Sequence, residues 1–164
     1  MDFDFSDDQE QLRDAVRKYV DKGYTFERRR ATEKAGGFDR AAYNELAELG
    51  LSGLYVPEDD GGMGMGPVEG MVVMEELGTG LVNAPFAAGA LVAPALLHAA
   101  PADVQAEWLP RIAEGSALVV LAHQERAARY RLHHVSTQAQ RSGEQWLLTG
   151  SKSVVPAGDE ADAF

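Results

Sequence analysis

The sequence contains no cysteine. That excludes disulfides, thiolate metal sites and cysteine nucleophiles together, and it suits an intracellular, cytoplasmic protein. Positive charge is scarce: 15 Lys and Arg stand against 26 Asp and Glu, a formal charge of −11. A nucleic-acid binder would show a basic face, so no nucleic-acid partner is expected. The acidic opening MDFDFSDDQEQ has the makeup of neither a signal peptide nor a transit peptide. An unbroken apolar run is missing too. Residues 81–100 carry no fixed charge, and about 20 apolar residues would cross a bilayer. Asn83, Pro85, Gly89, Pro94 and His98 interrupt them, however, and much of the remainder is alanine. A buried core helix is expected there, not a membrane span.

Familiar catalytic signatures are also absent. The spacing of Gly61, Gly62, Gly64 and Gly66 fits neither a dinucleotide fingerprint nor a P-loop, and no Lys-Ser/Thr follows. Glu58, Asp59 and Asp60 would repel a phosphate at its mouth, so the loop reads as a flexible connection between helices. Glu75 and Glu76, adjacent on a helix, diverge by about 100° and read as a solvated face. Arg28, Arg29 and Arg30, between Glu27 and Glu33, read as a surface network, with a grip on an anionic cofactor as the alternative. In a strand, His133 and His134 would point to opposite faces, so they could not share a metal. No metal site is expected. His123 follows a predicted strand end, and spacing alone gives it no role beyond that of a loop histidine. No Ser/His/Asp triad is visible.

What is present is an ordered series of helical patterns and then a change of period. With 45% hydrophobic and 25% charged residues, the chain has an ordinary globular composition. Ser6 and Gln9 have capping-box spacing, ahead of a stripe of Leu12, Val16, Tyr19 and Val20 that Gly23 ends or interrupts. Asp39 can cap a helix whose buried stripe is Ala42, Tyr43, Leu46 and Leu49, stopped by Gly50. A short apolar run, Leu51 to Val56, follows. Pro67 suits the first turn of a helix reaching about Leu77. Further helices are expected over 86–99 and 102–108, with a last turn opened by Pro110. From Gly115 the pattern becomes β-like: Leu118 to Leu121, then a hairpin from strands at 135–139 and 146–149 turning at 141–144, then a strand including Ser153 to Val155. So few strands would leave exposed edges, so the chain is expected to stop inside a β domain.

Taken in order, these segments resemble the acyl-CoA dehydrogenase family. The matching stretches are FDFSDDQEQLRDAVRKYV, AYNELAELGLSGLYVPEDDGGMGMG, VVMEELG, AEWLPRIAEGSALVVLA and GEQWLLTGSKSVVPAGDEADAF. The resemblance implies an α+β multidomain fold: an all-α N-terminal helical domain over 1–115, then over 116–164 the first strands of an antiparallel β-barrel-like middle domain. The C-terminal helical domain would be absent. It also implies FAD as cofactor, an acyl-CoA substrate, an electron-transfer flavoprotein or similar acceptor, and a homo- or hetero-oligomer. In the family a glutamate of the C-terminal domain removes the α-proton, so no catalytic residue is assigned here and these 164 residues alone are expected to be inactive.

By the same resemblance, the flavin-contacting segments fall on AHQERAARY and on Val154, Val155 and Pro156. Cofactor contacts are implied for Val120, Ala122 and His123, with Ala128 and Arg129 further along that motif. Both segments depart from the common pattern. His123 stands at a usual threonine, Ala128 at a glycine and Arg129 at a serine, while Pro156 offers neither an N–H nor a polar side chain. The backbone of Ala122 and Val155 remains available. The variant pattern resembles the small subunits of pimeloyl-CoA dehydrogenase-type and steroid-side-chain-type heteromers, so a non-catalytic subunit is the alternative. Arg129 or Arg126 would meet the flavin pyrophosphate or CoA phosphate. Ala87, Ala88 and Leu91 align with the acyl-pocket lining; tight helix–helix packing explains their small size equally well.

Overall fold

A computed structural model describes residues 4–164; Met1 to Phe3, the start of the acidic opening, lie outside the described residues. Helix α1 spans Asp7–Gly23 and opens with the reciprocal capping box, Gln9 N donating to Ser6 Oγ and Ser6 N to Gln9 Oε1. Helix α2, Phe26–Lys34, has no sequence counterpart in the periodic reading, because FERRRATEK carries almost no apolar stripe. It starts on Thr25, whose hydroxyl accepts the Arg28 N–H at 3.2 Å. Helix α3, Arg40–Glu48, is capped by Asp39 as expected and buries Ala42, Tyr43 and Leu46. Leu49, expected on that stripe, falls past the last helical turn and is 42% exposed.

The glycine-rich segment is not a flexible connection. Met63 N donates to Gly53 O, Gly64 N to Val56 O and Met65 N to Leu54 O, at 2.8–2.9 Å, clamping the loop onto the turn at Leu51–Gly53. Met63 and Met65 then pack against the core. Helix α4, Pro67–Thr79, runs beyond the expected end at Leu77. The apolar helix is π-helical over Ala87–Val92 and continues as α5, Ala93–Leu97. Pro94 has no N–H to return to the preceding turn, which fits a local change of hydrogen-bond pattern. Helix α6, Ala102–Ala113, passes straight through Pro110, where two pieces were expected.

One buried cluster joins α1, α3, α4 and the π-helical segment through Val16, Val20, Leu46, Val73, Leu77, Phe86 and Ala90. A second holds Val56, Ala93, Leu109, Ile112 and Val119. Each fully buried Val, Leu, Ile or Phe contributes about 1.5–3 kcal/mol relative to exposure. Among the described residues no helix is long and apolar enough to cross a membrane.

The β region differs from expectation in detail. Strands β1, Gln138–Ser142, and β2, Gln145–Thr149, form an antiparallel hairpin in register Gln138↔Thr149 to Ser142↔Gln145. Gly143, at φ 66°, takes the first position of the two-residue turn, so β1 lies later than the predicted 135–139. His133 and His134 sit in a turn, not a strand. Leu118 to Leu121 forms no regular strand; Val119 instead makes a parallel bridge to Ala163. Ser153 to Val155 is irregular, with Val154 at φ 53°, an uncommon conformation for a β-branched residue.

Candidate functional site

Two irregular segments, 121–125 and 152–156, lie side by side against the π-helical segment, joined by Ser153 N to Gln124 O at 2.8 Å. Between them and the helix is a cavity of about 280 Å³ lined by Ala88, Val92, Leu121, His123, Gln124, Val154 and Pro156. It shares Ala88, Val92 and Pro156 with a broader, mostly apolar groove of about 800 Å³ that also contains Leu77, Phe86 and Ala87. Arg29 and Glu33 are the charged residues of that groove.

Behind the cavity sits a buried carboxylate. Glu125 accepts from Lys152 Nζ (2.8 Å), Thr137 Oγ1 (2.6 Å), Thr137 N (3.1 Å) and Ser136 N (2.5 Å). Lys152, then Thr137 and Ser136, hold its carboxyl well below the ordinary range. Lys152 also donates to the carbonyl of His123 at 3.4 Å. A second carboxylate, Asp162, accepts the Leu118 N–H at 2.7 Å and pairs with Arg40 at 3.4 Å, tying the tail to α3. Among the described residues there is no cluster of His, Asp and Glu able to hold a metal.

Residues 6–116 match the family described as acyl-CoA dehydrogenase, N-terminal domain. The chain belongs to the acyl-CoA dehydrogenase family. It is 33% identical over 125 residues to acyl-CoA dehydrogenase FadE12 of Mycobacterium tuberculosis, an overlap of 73% of this chain and 31% of that protein. Its fold is similar to the ChsE4–ChsE5 complex from Mycobacterium tuberculosis, with TM-score 0.86 and 27% identity over 99% of this chain and 44% of that one. The Tcur3481–Tcur3483 steroid ACAD G363A variant matches with TM-score 0.84 and 29% identity, covering 94% and 42%. The chain therefore spans less than half the length of each of these relatives.

Within the chain the sequence-predicted residues fall into separate places. Ala88, His123, Val154 and Pro156 share the smaller cavity, and Ala87 lines the adjoining groove. Leu91 does not join them; it packs against the first core cluster. Val120 is buried and gives its N–H to Ala163 O at 3.1 Å. Among the described residues the amides of Ala122 and Val155 make no hydrogen bond. Ala128 is buried and donates to Glu125 O at 2.9 Å, whereas Arg129 is exposed at φ 50°. Arg28 lies apart from the site. Expected in a surface network, it is half-buried against Asp39 and Glu45 and bridges α2 to α3 and its cap.

Sequence reasoning missed Glu125 and Lys152. The available signal was a lone Glu in HQER and a lone Lys in GSKS, each beside an apolar stretch. Nothing in their spacing, 27 residues apart, reveals the pairing.

Proposed function

We propose that this chain supplies the helical domain (1–115) and the beginning of the β domain (116–164) of an FAD-dependent acyl-CoA dehydrogenase, which oxidises an acyl-CoA thioester between Cα and Cβ. The observation that carries this reading is the meeting of Ala88, from the helix aligned with the acyl pocket, with His123, Val154 and Pro156, from the two flavin-motif segments, in one cavity. Its walls fit the cofactor's chemistry. Ala88, Val92, Leu121 and Val154 suit a flat ring system, and the amides of Ala122 and Val155, each next in the chain to a lining residue and without a hydrogen bond, would be available to a ring carbonyl edge if the ring lies against that backbone.

When bound, FAD supplies the acceptor for the hydride that leaves the β-carbon as the α-proton is removed. The chain's own part is to bind and orient. Ala87 and Ala88 leave the groove open for the acyl group, Val120 and Ala128 hold the motif backbone in place, and exposed Arg129 is free to face a phosphate. Leu91 backs the helix from the core side. The base is assigned to none of these 164 residues, so a polypeptide limited to them has no turnover. An electron-transfer flavoprotein or similar acceptor would reoxidise the flavin in an oligomeric enzyme.

A second reading is favoured by Pro156, which brings no donor to the cavity, and by the similarity to two-subunit complexes. In it the protein is a non-catalytic subunit that supports a flavin-bearing partner. Absorbance of the purified full-length protein separates the two. A flavin spectrum that bleaches on addition of acyl-CoA supports the enzyme; a colourless protein that co-purifies with a yellow partner supports the subunit. Unchanged FAD and acyl-CoA affinity in Arg129→Ala would remove the phosphate role.

A further inference from the structure

The segments that line the cavity are held by very little regular structure. No ladder joins 121–125 to 152–156 beyond the single bond from Ser153 N to Gln124 O, and Val154 adopts φ 53° while 81% exposed. The hairpin β1–β2 is exposed along both strands and does not brace them. Val155 packs against the buried Tyr43, Leu118 and Val120, and side-chain bonds must complete the separation of the two segments.

We infer that Glu125 and Lys152 form a positioning pair that sets the distance between the two cavity-lining segments, and through it the seat of the flavin ring. The inference rests on the proposed function for the identity of the ligand, but not for the mechanical role. Glu125 lies two residues after His123, and Lys152 two residues before Val154; both flanked residues line the cavity. The ammonium reaches the Glu125 carboxylate at 2.8 Å and the His123 carbonyl at 3.4 Å, so one cation grips both the side chain and the backbone of the opposite segment. The carboxylate's other bonds go to Ser136 and Thr137, which tether the run entering the hairpin to the same point. Its side chain is 5% exposed, so little water is available to replace a lost partner. Removing the cation leaves a buried charge facing only neutral donors, and the segments must move apart to hydrate it. Neither residue reaches the cavity itself, so the role is positioning and not contact.

Lys152→Met and Lys152→Arg in the intact full-length protein test this, with Glu76→Ala, at the α1–α4 contact and outside the lining of the cavity, as a destabilised control. Two measurements are made: amide hydrogen exchange, without added ligand, at Ser136, Thr137 and Ser153, whose N–H groups bond to Glu125 and to the Gln124 carbonyl, and FAD affinity by titration. Lys152→Met is expected to speed exchange at all three amides and weaken FAD binding about tenfold. Lys152→Arg should restore both, and Glu76→Ala should change neither. Should Lys152→Met not fold, Thr137→Val removes one bond from Glu125 and keeps the ion pair; a smaller shift in the same direction is expected. Unchanged exchange at Ser136, Thr137 and Ser153, or an equal loss of FAD in Glu76→Ala, overturns the inference. Wild-type protein that binds no FAD overturns the enzyme reading alone, and the exchange data still decide whether the pair sets the segments.

Discussion

Arg17 and Glu76 meet in a two-pronged ion pair between α1 and α4. Arg17 Nη2 donates to Oε1 at 2.8 Å and Nε to Oε2 at 3.1 Å. Arg13 approaches the same carboxylate at 3.7 Å. Glu76 is buried to 4% side-chain exposure while Arg17 remains half exposed, so the acid depends on the base more than the reverse. Glu76, expected on a solvated face, is thus the polar fastener of the first helix pair.

Glu76→Ala is therefore expected to destabilise the protein by about 2 kcal/mol, less than for a fully buried pair because Arg17 can rehydrate. Arg17→Ala leaves the acid buried with weaker partners, chiefly Arg13. Urea unfolding of both variants and of the double variant measures the coupling; additive losses would show that the pair contributes nothing of its own.

Three glycines should behave differently. A Cβ at Gly62 would collide with the carbonyl of Val56, so Gly62→Ala should cost about 3 kcal/mol or prevent folding. Gly61 has φ 83° and open space, so Gly61→Ala should cost only about 1 kcal/mol, from backbone strain. Gly78, in α4 with no atom in reach, should gain about 0.5 kcal/mol on change to Ala. Thermal denaturation ranks the three.

Acid sensitivity has a defined sign. Arg28, assisted by the Ala42 N–H, lowers the Asp39 carboxyl; the Leu118 N–H and then Arg40 lower that of Asp162. Lys152 lowers that of Glu125. A folded pKa below the unfolded one adds stability above the unfolded pKa, which is lost as pH falls through the folded value. Stability should therefore hold near neutrality and decline below about pH 4, where free carboxyls begin to protonate. Asp39→Asn should flatten part of that decline in urea midpoints measured from pH 6 downward.

If the groove seats the acyl group, Ala88→Leu fills space shared by both cavities. If the full-length protein has the proposed dehydrogenase activity, kcat/KM for bulky acyl-CoA thioesters should fall about tenfold or more relative to short ones. An unchanged ratio would return Ala88 to a packing role.

Much of the helical domain was legible because its signals are local. Ser6–Gln9 and Asp39 lie within a turn of the groups they satisfy, and Pro67 leaves one first-turn N–H fewer to satisfy, so spacing alone located three helix starts. A hairpin near Gly143 was readable for the same reason, although its register was not. Family membership followed from the order of many weak segments. The cavity was another matter: the segments were named, but their meeting around Ala88 was not visible in the chain.

The sequence by itself determined where most helices begin, that a β region follows, and to which family the order of segments belongs, because each depends on neighbours a few residues apart. Tertiary structure alone decided the rest. Glu76 became a buried partner of Arg17, Arg28 turned to Asp39 and Glu45, the glycine loop closed onto Val56, and Glu125 found Lys152. A charged side chain or a polar amide is only as solvated as its surroundings allow. Those surroundings come from residues far along the chain, 59 positions between Arg17 and Glu76 and 122 between Arg40 and Asp162, where no local pattern reaches.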